Sequence, residues 1–299
     1  MRIWWRPSYS PPLPDPGSNR GLQAAGLVDA HVHVFPPDLI RRRAACLRTD
    51  PRFDALYRSP KARMVTAEEV LAQMDHSGTE VSIVFGFSFN DLGLCREVND
   101  YVLEAVRANP QRLAGLACIP PGAPGALAEL QRCLDHGMRG CGELAPVSAD
   151  QNTISDLAAI AGCLRERGLP LVVHASEPVG HEYPGKGQFT PDACVALAKA
   201  YPGLNLVFSH LGGGLFLYEL MPEVRALLAN VFYDTAATPY LYAKSVYEVA
   251  ALACGAEKLI FGSDYPLVHP ETCAEGLDRL SPSQQAAVRA DNATRIFKL

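Results

Sequence analysis

Short apolar runs alternate with amphipathic segments along nearly the whole chain, and this alternation constrains the fold more than any other feature. Runs of this length suit buried strands, and the segments between them suit helices that cover a parallel sheet. The runs fall at residues 27–35, 81–87, 113–119, 138–144, 169–175, 204–210, 231–235 and 258–263. Eight successive βα units predict an α/β fold, a (β/α)₈ TIM barrel, with a doubly wound open sheet as the alternative.

Domain boundaries follow from the same pattern. Residues 1–23 contain five prolines and little periodic apolar content, so we expect a proline-rich N-terminal arm there. Residues 24–299 then form one barrel domain, which is a common length for a single α/β barrel. The stretch 36–64, which follows the first run, is much longer than an ordinary βα connection and is predicted to be an inserted loop.

Charge and cysteine usage narrow the class of protein. The 27 basic and 32 acidic residues give a net charge of -5. Nucleic-acid binding requires an excess of basic residues, so this charge argues against a nucleic-acid partner. The nine cysteines contain no C-x-x-C pair, so neither a disulfide framework nor a zinc ribbon is indicated. No apolar stretch approaches the roughly 20 residues that span a bilayer, and the N-terminus lacks a signal-peptide pattern. We therefore expect a cytoplasmic protein with no membrane partner.

Two histidines lie in the first apolar run, in the segment LVDAHVHVF. Side chains alternate across a strand, so His31 and His33 face one side while Val32 and Val34 face the other. A single buried histidine is most often a hydrogen-bonded core residue. Burying two on one face without partners is costly, and the pair therefore indicates a metal site.

Three further residues of ligand type end other apolar runs. His174 ends the fifth run, His210 ends the sixth and Asp264 follows the eighth. Barrel enzymes place their chemistry at the carboxyl ends of the strands, where all of these residues are expected to meet. Imidazole nitrogen and carboxylate oxygen suit a catalytic zinc ion that keeps one position open for water or substrate.

Four segments together resemble one known family. They are DAHVH in the first run, VHA at His174, SHLGGG after the sixth run and GSDYP after the eighth. Their order is similar to that in the amidohydrolase superfamily, and within it to the amidohydrolase-2 group, which contains aminocarboxymuconate-semialdehyde decarboxylase and related metal-dependent hydrolases. The resemblance covers about residues 27–299, and such an ordered ligand set is more specific than a lone His-x-His.

The resemblance implies a distorted (β/α)₈ barrel of the metal-dependent hydrolase type. It also implies that the metal ligands are His31, His33, His174 and Asp264. His210 is then expected to orient or polarise the reacting group rather than to bind the metal. One Zn²⁺ is the expected cofactor, with Mn²⁺ or Fe²⁺ as alternatives.

Glu143 in the fourth run departs from the pattern of the superfamily members that bind two metals. Those proteins often carry a carboxylated lysine on the fourth strand, whereas this chain has RGCGEL there. The departure favours one metal. Two interpretations of Glu143 stay open: it bridges a second ion, or it forms an ion pair with Arg139, which the period-two alternation puts on the same face.

Three functions fit these residues. The first is hydrolysis of a small organic acid derivative, an amide or lactone, by a metal-activated water, with Asp264 as base and His210 stabilising the charge on the attacked carbonyl oxygen. The alternative is non-oxidative decarboxylation of a small cyclic or aromatic carboxylic acid, with Asp264 or His210 handling the proton. A second alternative is a non-catalytic, metal-stabilised barrel that binds a ligand.

A carboxylated small-molecule substrate is expected from the basic residues of the inserted stretch. Eight arginines and lysines lie between residues 36 and 64, either as a lid that clamps a carboxylate through bidentate bonds or as a solvated helical insertion. Exposed apolar helix faces are compatible with a homodimer. Loops after the second, fifth and eighth runs supply the predicted substrate contacts, which are Phe87, Asn90, His181, Tyr183, Lys186 and His269.

Overall fold

All eight predicted strands are present in the structure. The computed structural model describes residues 26–299, so the predicted arm at residues 1–23 lies outside the described residues. The strands are β1 (Leu27–His33), β2 (Thr79–Phe85), β3 (Leu113–Gly115), β4 (Cys141–Leu144), β5 (Leu171–Val173), β6 (Leu206–Phe208), β7 (Val231–Asp234) and β8 (Leu259–Ile260). Most end before the predicted run does, because the last residues of each run leave the sheet at its carboxyl end.

Helices connect the strands, as the alternation predicts. They are α1 (Pro37–Arg41), α2 (Arg43–Thr49), α3 (Pro51–Tyr57), α4 (Ala67–Ser77), α5 (Leu92–Ala108), α6 (Ala126–Asp135), α7 (Gln151–Arg167), α8 (Pro191–Ala200), α9 (Pro222–Leu227), α10 (Thr238–Leu241), α11 (Val246–Ala253), α12 (Pro270–Ala274), α13 (Pro282–Ala286) and α14 (Asn292–Phe297). The segment His210–Leu220 begins with a left-handed turn and continues as 3₁₀ turns, short 3₁₀ segments lie at Ala256–Lys258 and Leu277–Arg279, and a π-helical turn lies at Ala287–Asp291. Within residues 26–299, none of these helices is long and apolar enough to cross a bilayer.

The strands form a parallel sheet with two weakly paired seams. Regular pairing runs from β1 to β3 and from β4 to β8. The seam between β8 and β1 is crossed by a backbone bond from Ala30 N to the carbonyl of Phe261 at 2.9 Å. The seam between β3 and β4 is crossed by a bond from Ala117 N to the carbonyl of Gly140 at 3.0 Å. Backbone hydrogen bonds therefore continue around the barrel.

A second observation supports a barrel interior. Side chains from seven of the eight strands, or from the residues that directly follow them, meet in one apolar cluster. Side chains from so many strands can pack together only inside a sheet that curls round on itself. The strand residues in the cluster are Val28, Ala30, Ile83, Phe85, Ala114, Leu116, Cys118, Val172, Val207, Phe232 and Ile260.

The last helix covers the amino-terminal end of this interior. Ala293, Ile296 and Phe297 of α14 belong to the same apolar cluster. The neighbouring Lys298 donates to the carbonyl of Arg167 at 2.7 Å, just before β5 begins, which places α14 at the ends where the strands start. The opposite end of the barrel is left for polar residues.

The stretch predicted as an inserted loop, residues 36–64, folds into the three short helices α1 to α3. Asp50 caps α3 by accepting hydrogen bonds from the backbone nitrogens of Arg52 and Phe53, both at 3.0 Å. Its other carboxylate oxygen accepts from the backbone nitrogen of Asn90 at 2.9 Å, in the loop after β2. Phe53 is fully buried, so the insertion packs on the barrel.

Large apolar side chains are exposed around the loop after β6 and on α11. Leu220 is 65% exposed and Leu252 is 83% exposed. The predicted homodimer and the predicted cytoplasmic location both stay predictions.

Truncating Phe297 tests the role of α14. We expect Phe297→Ala to lower the free energy of unfolding by about 3–5 kcal/mol, because it removes a fully buried aromatic ring from the inner cluster. Denaturant unfolding followed by circular dichroism measures this change. The matched control is Leu252→Ala, where the exposed side chain should change stability by no more than about 0.5 kcal/mol. Equal stability of the two variants would contradict a sealing role for α14.

Candidate metal centre

The two histidines of β1 lie on the same side, as predicted, with ring centroids 5.2 Å apart. His31 Nδ1 donates to Asp234 Oδ2 at 2.9 Å, and His33 Nδ1 donates to the carbonyl of Gly86 at 3.2 Å. A carboxylate and a carbonyl can only accept, so in the neutral ring each Nδ1 carries the proton and each Nε2 carries a lone pair. Both lone pairs are therefore available to a cation.

Asp264 faces this pair from the far side of the β8–β1 seam. Its Oδ1 lies 3.7 Å from His31 Nε2 and 3.4 Å from His33 Nε2. The residue has a φ of 69°, a left-handed conformation that few non-glycine residues adopt. Its backbone nitrogen donates to the carbonyl of His31 at 3.0 Å, which holds it there. Such strained positions are frequent at functional sites.

Glu143, His174 and His210 form a second group beside the first. Glu143 Oε1 lies 3.2 Å from His174 Nδ1 and 3.6 Å from His210 Nε2, and the two histidine nitrogens are 3.1 Å apart. Arg139 is exposed, and the described residues contain no ion pair between it and Glu143. The geometry therefore does not support the ion pair with Arg139, and binding of a second ion by Glu143 stays a prediction.

The two groups are contiguous. His31 Nε2 lies 3.9 Å from Glu143 Oε1, and the rings of His31 and His210 are 5.7 Å apart. Within each group, the three side chains have ligand atoms that lie within 4.8 Å of one another. Of the four predicted ligands, the structure therefore brings His31, His33 and Asp264 into one group and places His174 in the adjoining one.

The charges of the centre favour a cation. Burial alone would lower the pKa of His31, but the Asp234, Glu143 and Asp264 carboxylates outweigh it and raise this pKa to about 10. His31 Nε2 is nevertheless buried without a hydrogen-bond partner among residues 26–299. A buried polar atom without a partner is costly, and a divalent cation that displaces the proton from Nε2 would satisfy both this nitrogen and the carboxylates. The residues present therefore fit a metal ion.

The position of His210 depends on a left-handed turn. Residues 210–214 all have positive φ values, from 55° to 95°. Glycine is required within this turn, because a Cβ atom on Gly213 would lie 2.3 Å from the carbonyl oxygen of Ser176. The SHLGGG segment is thus explained by a close approach of two backbone segments that brings His210 next to His174.

Three of the predicted substrate contacts lie in the loop after β5. His181 is exposed. The hydroxyl of Tyr183 donates to Glu177 Oε2 at 2.9 Å. The ammonium of Lys186 donates to the carbonyls of Val179 and His181 at 3.3 and 3.1 Å. These bonds stabilise the loop itself, and substrate binding by the three residues stays a prediction.

The remaining predicted contacts lie in two other loops. Phe87 is buried, and its ring packs edge-on against Phe53 with centroids 5.2 Å apart. Asn90 and His269 are exposed, and His269 Nδ1 lies 3.2 Å from the side-chain oxygen of Gln73 on α4. Substrate contact by Phe87, Asn90 and His269 stays a prediction.

The structure adds two residues that the sequence analysis did not single out. Asp234 is 1% exposed and holds His31. Arg52 projects from α3 with its guanidinium carbon 4.7 Å from the centroid of the Phe87 ring. Burial lowers the pKa of Arg52, while the Glu143 and Asp50 carboxylates oppose this shift. Within residues 26–299 its guanidinium has no hydrogen-bond or ion-pair partner, unlike Arg42 and Arg58, which pair with acidic residues.

A comparison with known families agrees with this geometry. The sequence profile of the amidohydrolase family, in its amidohydrolase-2 group, matches residues 28–299. The chain belongs to this family. The amidohydrolase-2 resemblance and the TIM-barrel fold predicted from the sequence are thereby confirmed. No curated protein matches the chain significantly.

Several solved structures of similar fold are decarboxylases. The 5-carboxyvanillate decarboxylase of Sphingomonas paucimobilis superposes with a TM-score of 0.75 at 19% identity, over 92% of this chain and 100% of that one. A 2,6-dihydroxybenzoate decarboxylase, bound to 2,6-dihydroxybenzoate, gives a TM-score of 0.71 at 19% identity, over 92% and 100%. A dihydroxybenzoic acid decarboxylase of Polaromonas sp. JS666, with manganese and 2-nitroresorcinol, gives 0.71 at 18% identity, over 92% and 98%. At these identities the likeness establishes the fold.

Replacing His33 tests the predicted metal ligands. We expect His33→Ala to lower the affinity for Zn²⁺ and Mn²⁺ by more than the roughly 10- to 100-fold cost of losing an outer-shell partner. Competition with a chromogenic chelator measures the affinity, and elemental analysis after dialysis measures the metal content. His269→Ala is the matched control, because His269 is exposed. Equal metal affinity in the two variants would remove His33 from the ligand set.

Proposed function

We propose that this amidohydrolase is a metal-dependent, non-oxidative decarboxylase of a small aromatic carboxylic acid. The observation that carries the proposal is Arg52, whose guanidinium lies over the Phe87 ring and has no hydrogen-bond or ion-pair partner among the described residues. The charge of the Glu143 carboxylate in the centre opposes the lowering of the Arg52 pKa by burial. The fold likeness to aromatic-acid decarboxylases supports the same class of substrate. Hydrolysis, the first function considered from the sequence, receives less support.

The cation would be held by His31, His33, His174 and Asp264. Zn²⁺ suits these nitrogen and oxygen donors. Mn²⁺ is the alternative to test first, because two of the similar decarboxylases contain it. When bound, the metal supplies a Lewis acid that positions a substrate oxygen and draws electron density from the ring.

Arg52 would bind the carboxylate of the substrate. A guanidinium forms two parallel hydrogen bonds to a carboxylate, which fixes the orientation of the acid as well as its position. The Phe87 ring lies against the guanidinium of Arg52 and would offer an apolar surface for an aromatic ring. Among the basic residues of the insertion, Arg52 thus fits the lid interpretation, whereas Arg41, Arg42 and Arg58 fit the solvated one.

The reaction consumes one proton. The bond between the ring carbon and the carboxylate carbon breaks, carbon dioxide leaves, and the electron pair stays on the ring carbon, which takes the proton. We propose Asp264 or His210 as the donor. His210 Nδ1 donates to the carbonyl of Ala236 at 2.9 Å, so the proton to be transferred would be held at Nε2, which faces His174 and Glu143.

Hydrolysis of an amide or lactone is the second candidate, and Glu143 is the observation that favours it. The carboxylate lies within 3.6 Å of a nitrogen of His174 and of His210, which together offer three donors to a second ion. Burial would raise the pKa of Glu143, but His174, His31 and His210 hold it well below its usual value, so the carboxylate is ionised. Two adjacent ions would favour attack by a metal-activated water.

A substrate panel separates these functions. We expect hydroxylated benzoic acids to release carbon dioxide when incubated with the protein loaded with Mn²⁺ or Zn²⁺, because they offer both a carboxylate for Arg52 and a ring oxygen for the centre. The panel also contains the corresponding amides and a set of lactones. Mass spectrometry of the products and a coupled assay for carbon dioxide provide the measurement.

Each outcome of the panel selects one function. Loss of carbon dioxide from an acid with one metal ion bound per chain supports the decarboxylase. Acid release from amides or lactones with two ions bound per chain supports the hydrolase and overturns the main proposal. Metal binding without turnover of any compound leaves the ligand-binding barrel.

Replacing Arg52 tests the carboxylate anchor. For the acid that reacts best, we expect Arg52→Gln to raise KM roughly 10- to 100-fold, because a charge-assisted pair of hydrogen bonds is lost, while metal content stays the same. Arg52→Lys should restore little, since an ammonium cannot form the bidentate pair. The matched control is Arg48→Gln, an exposed arginine of the same insertion. An unchanged KM in Arg52→Gln would show that the acid binds elsewhere.

A further inference from the structure

One buried carboxylate connects the two halves of the centre. Asp234 ends β7 and is 1% exposed. Its Oδ2 accepts from His31 Nδ1 at 2.9 Å. Its Oδ1 accepts from the backbone nitrogen of His210 at 2.9 Å and from that of Ala236 at 3.0 Å. Both carboxylate oxygens are therefore committed, one to each histidine-bearing segment.

The bond to His31 decides which nitrogen of that ring faces the cation. Because Asp234 accepts the Nδ1 proton, the lone pair of the neutral ring lies on Nε2, the atom that is buried without a partner among the described residues. A carboxylate on the outer nitrogen of a metal-binding histidine fixes the tautomer and the ring orientation and makes the ligand more basic.

The bond to His210 supports a strained backbone. His210 has a φ of 57°, a left-handed conformation that is unfavourable for any residue other than glycine. The end of β7 holds this residue at two points: Asp234 accepts from its backbone nitrogen, and the carbonyl of Ala236 accepts from its Nδ1. Its Nε2 is thereby aimed at His174.

Asp234 does not form an ion pair with a lysine or an arginine of the described residues. Within residues 26–299, no lysine or arginine lies within ion-pair distance of it, and His31 is its only charged-group contact. A buried carboxylate without a basic partner needs positive charge nearby. The cluster of His31, Glu143 and Asp264 provides that charge only when it holds a cation or protons.

We infer that Asp234 is a positioning residue that couples the metal centre to the proton-handling histidine: it presents His31 Nε2 to the cation and fixes His210 in the same arrangement. The inference rests on the proposed metal-dependent function. One carboxylate then sets the orientation of both the metal ligand His31 and the proposed proton donor His210. A substitution at Asp234 should therefore disturb both histidines.

The test uses the full chain with Asp234→Asn. If the amide oxygen keeps the bonds to His210 and Ala236, the amide NH₂ faces His31 Nδ1, which must then accept, and the His31 proton moves to Nε2. We expect the affinity for Zn²⁺ and Co²⁺ to fall roughly 10- to 100-fold in chelator competition, with a changed visible spectrum of the Co²⁺ form. Glu129→Gln is the matched control: this carboxylate is 2% exposed and bonds Asn99 and Arg132 on the outside of the barrel.

The outcomes separate this inference from the proposed function. If the unaltered protein binds neither metal, the proposed metal-dependent function fails. If it binds both, and Asp234→Asn folds and binds them with unchanged affinity and an unchanged Co²⁺ spectrum, the inference is overturned while the proposed function stands. Glu129→Gln is expected to keep the metal affinity of the unaltered protein, and a comparable loss in this control would also overturn the inference.

A measurement on the unaltered protein covers the case in which Asp234→Asn does not fold. In protein with ¹⁵N-labelled histidine and bound Zn²⁺, the nitrogen shifts of His31 should show a proton on Nδ1 and metal on Nε2. Metal on Nδ1, or no proton on it, would overturn the inference.

Discussion

Buried negative charge at the carboxyl end of the barrel governs the arrangement of the site. Glu143, Asp234 and Asp264 are at most 9% exposed, and in the described part of the chain their charged partners are all histidines. Carboxylates in such a place must be neutralised by protons on the imidazoles or by a metal ion. A divalent cation would do so, held by the Nε2 atoms that the hydrogen bonds of His31 and His33 direct inward.

The two ends of the same strands serve different purposes. At the amino-terminal end, apolar side chains and α14 close the barrel, and this packing holds the strands in register. At the carboxyl end the chain leaves regular strand geometry, with His210 and Asp264 in left-handed conformations. Each is held by a backbone bond, from His210 N to Asp234 and from Asp264 N to the carbonyl of His31. Rigid packing below thus supports the strained, polar arrangement above.

The sequence was sufficient for the features that depend on local periodicity. The eight strands follow from apolar runs, and the shared orientation of His31 and His33 follows from strand alternation. The contact between His174 and His210 was not predictable, because it depends on a close approach of two backbone segments at Gly213. The helices of the insertion have five to seven residues, too few for a helical period to be recognised against a loop.

Arg52 could not be identified as a site residue from the sequence, for a different reason. Eight basic residues occupy the insertion, and nothing in the sequence distinguishes Arg52, whose guanidinium lies against the Phe87 ring, from the others. Asp50 begins α3 as its cap, and its second oxygen binds the backbone of Asn90 in the loop after β2. The start of the helix that carries Arg52 is thereby tied to the loop that carries Phe87, so the guanidinium and the ring that supports it are placed by one buried carboxylate. A residue held in this way is set before any ligand arrives, which lowers the entropy lost when an acid binds.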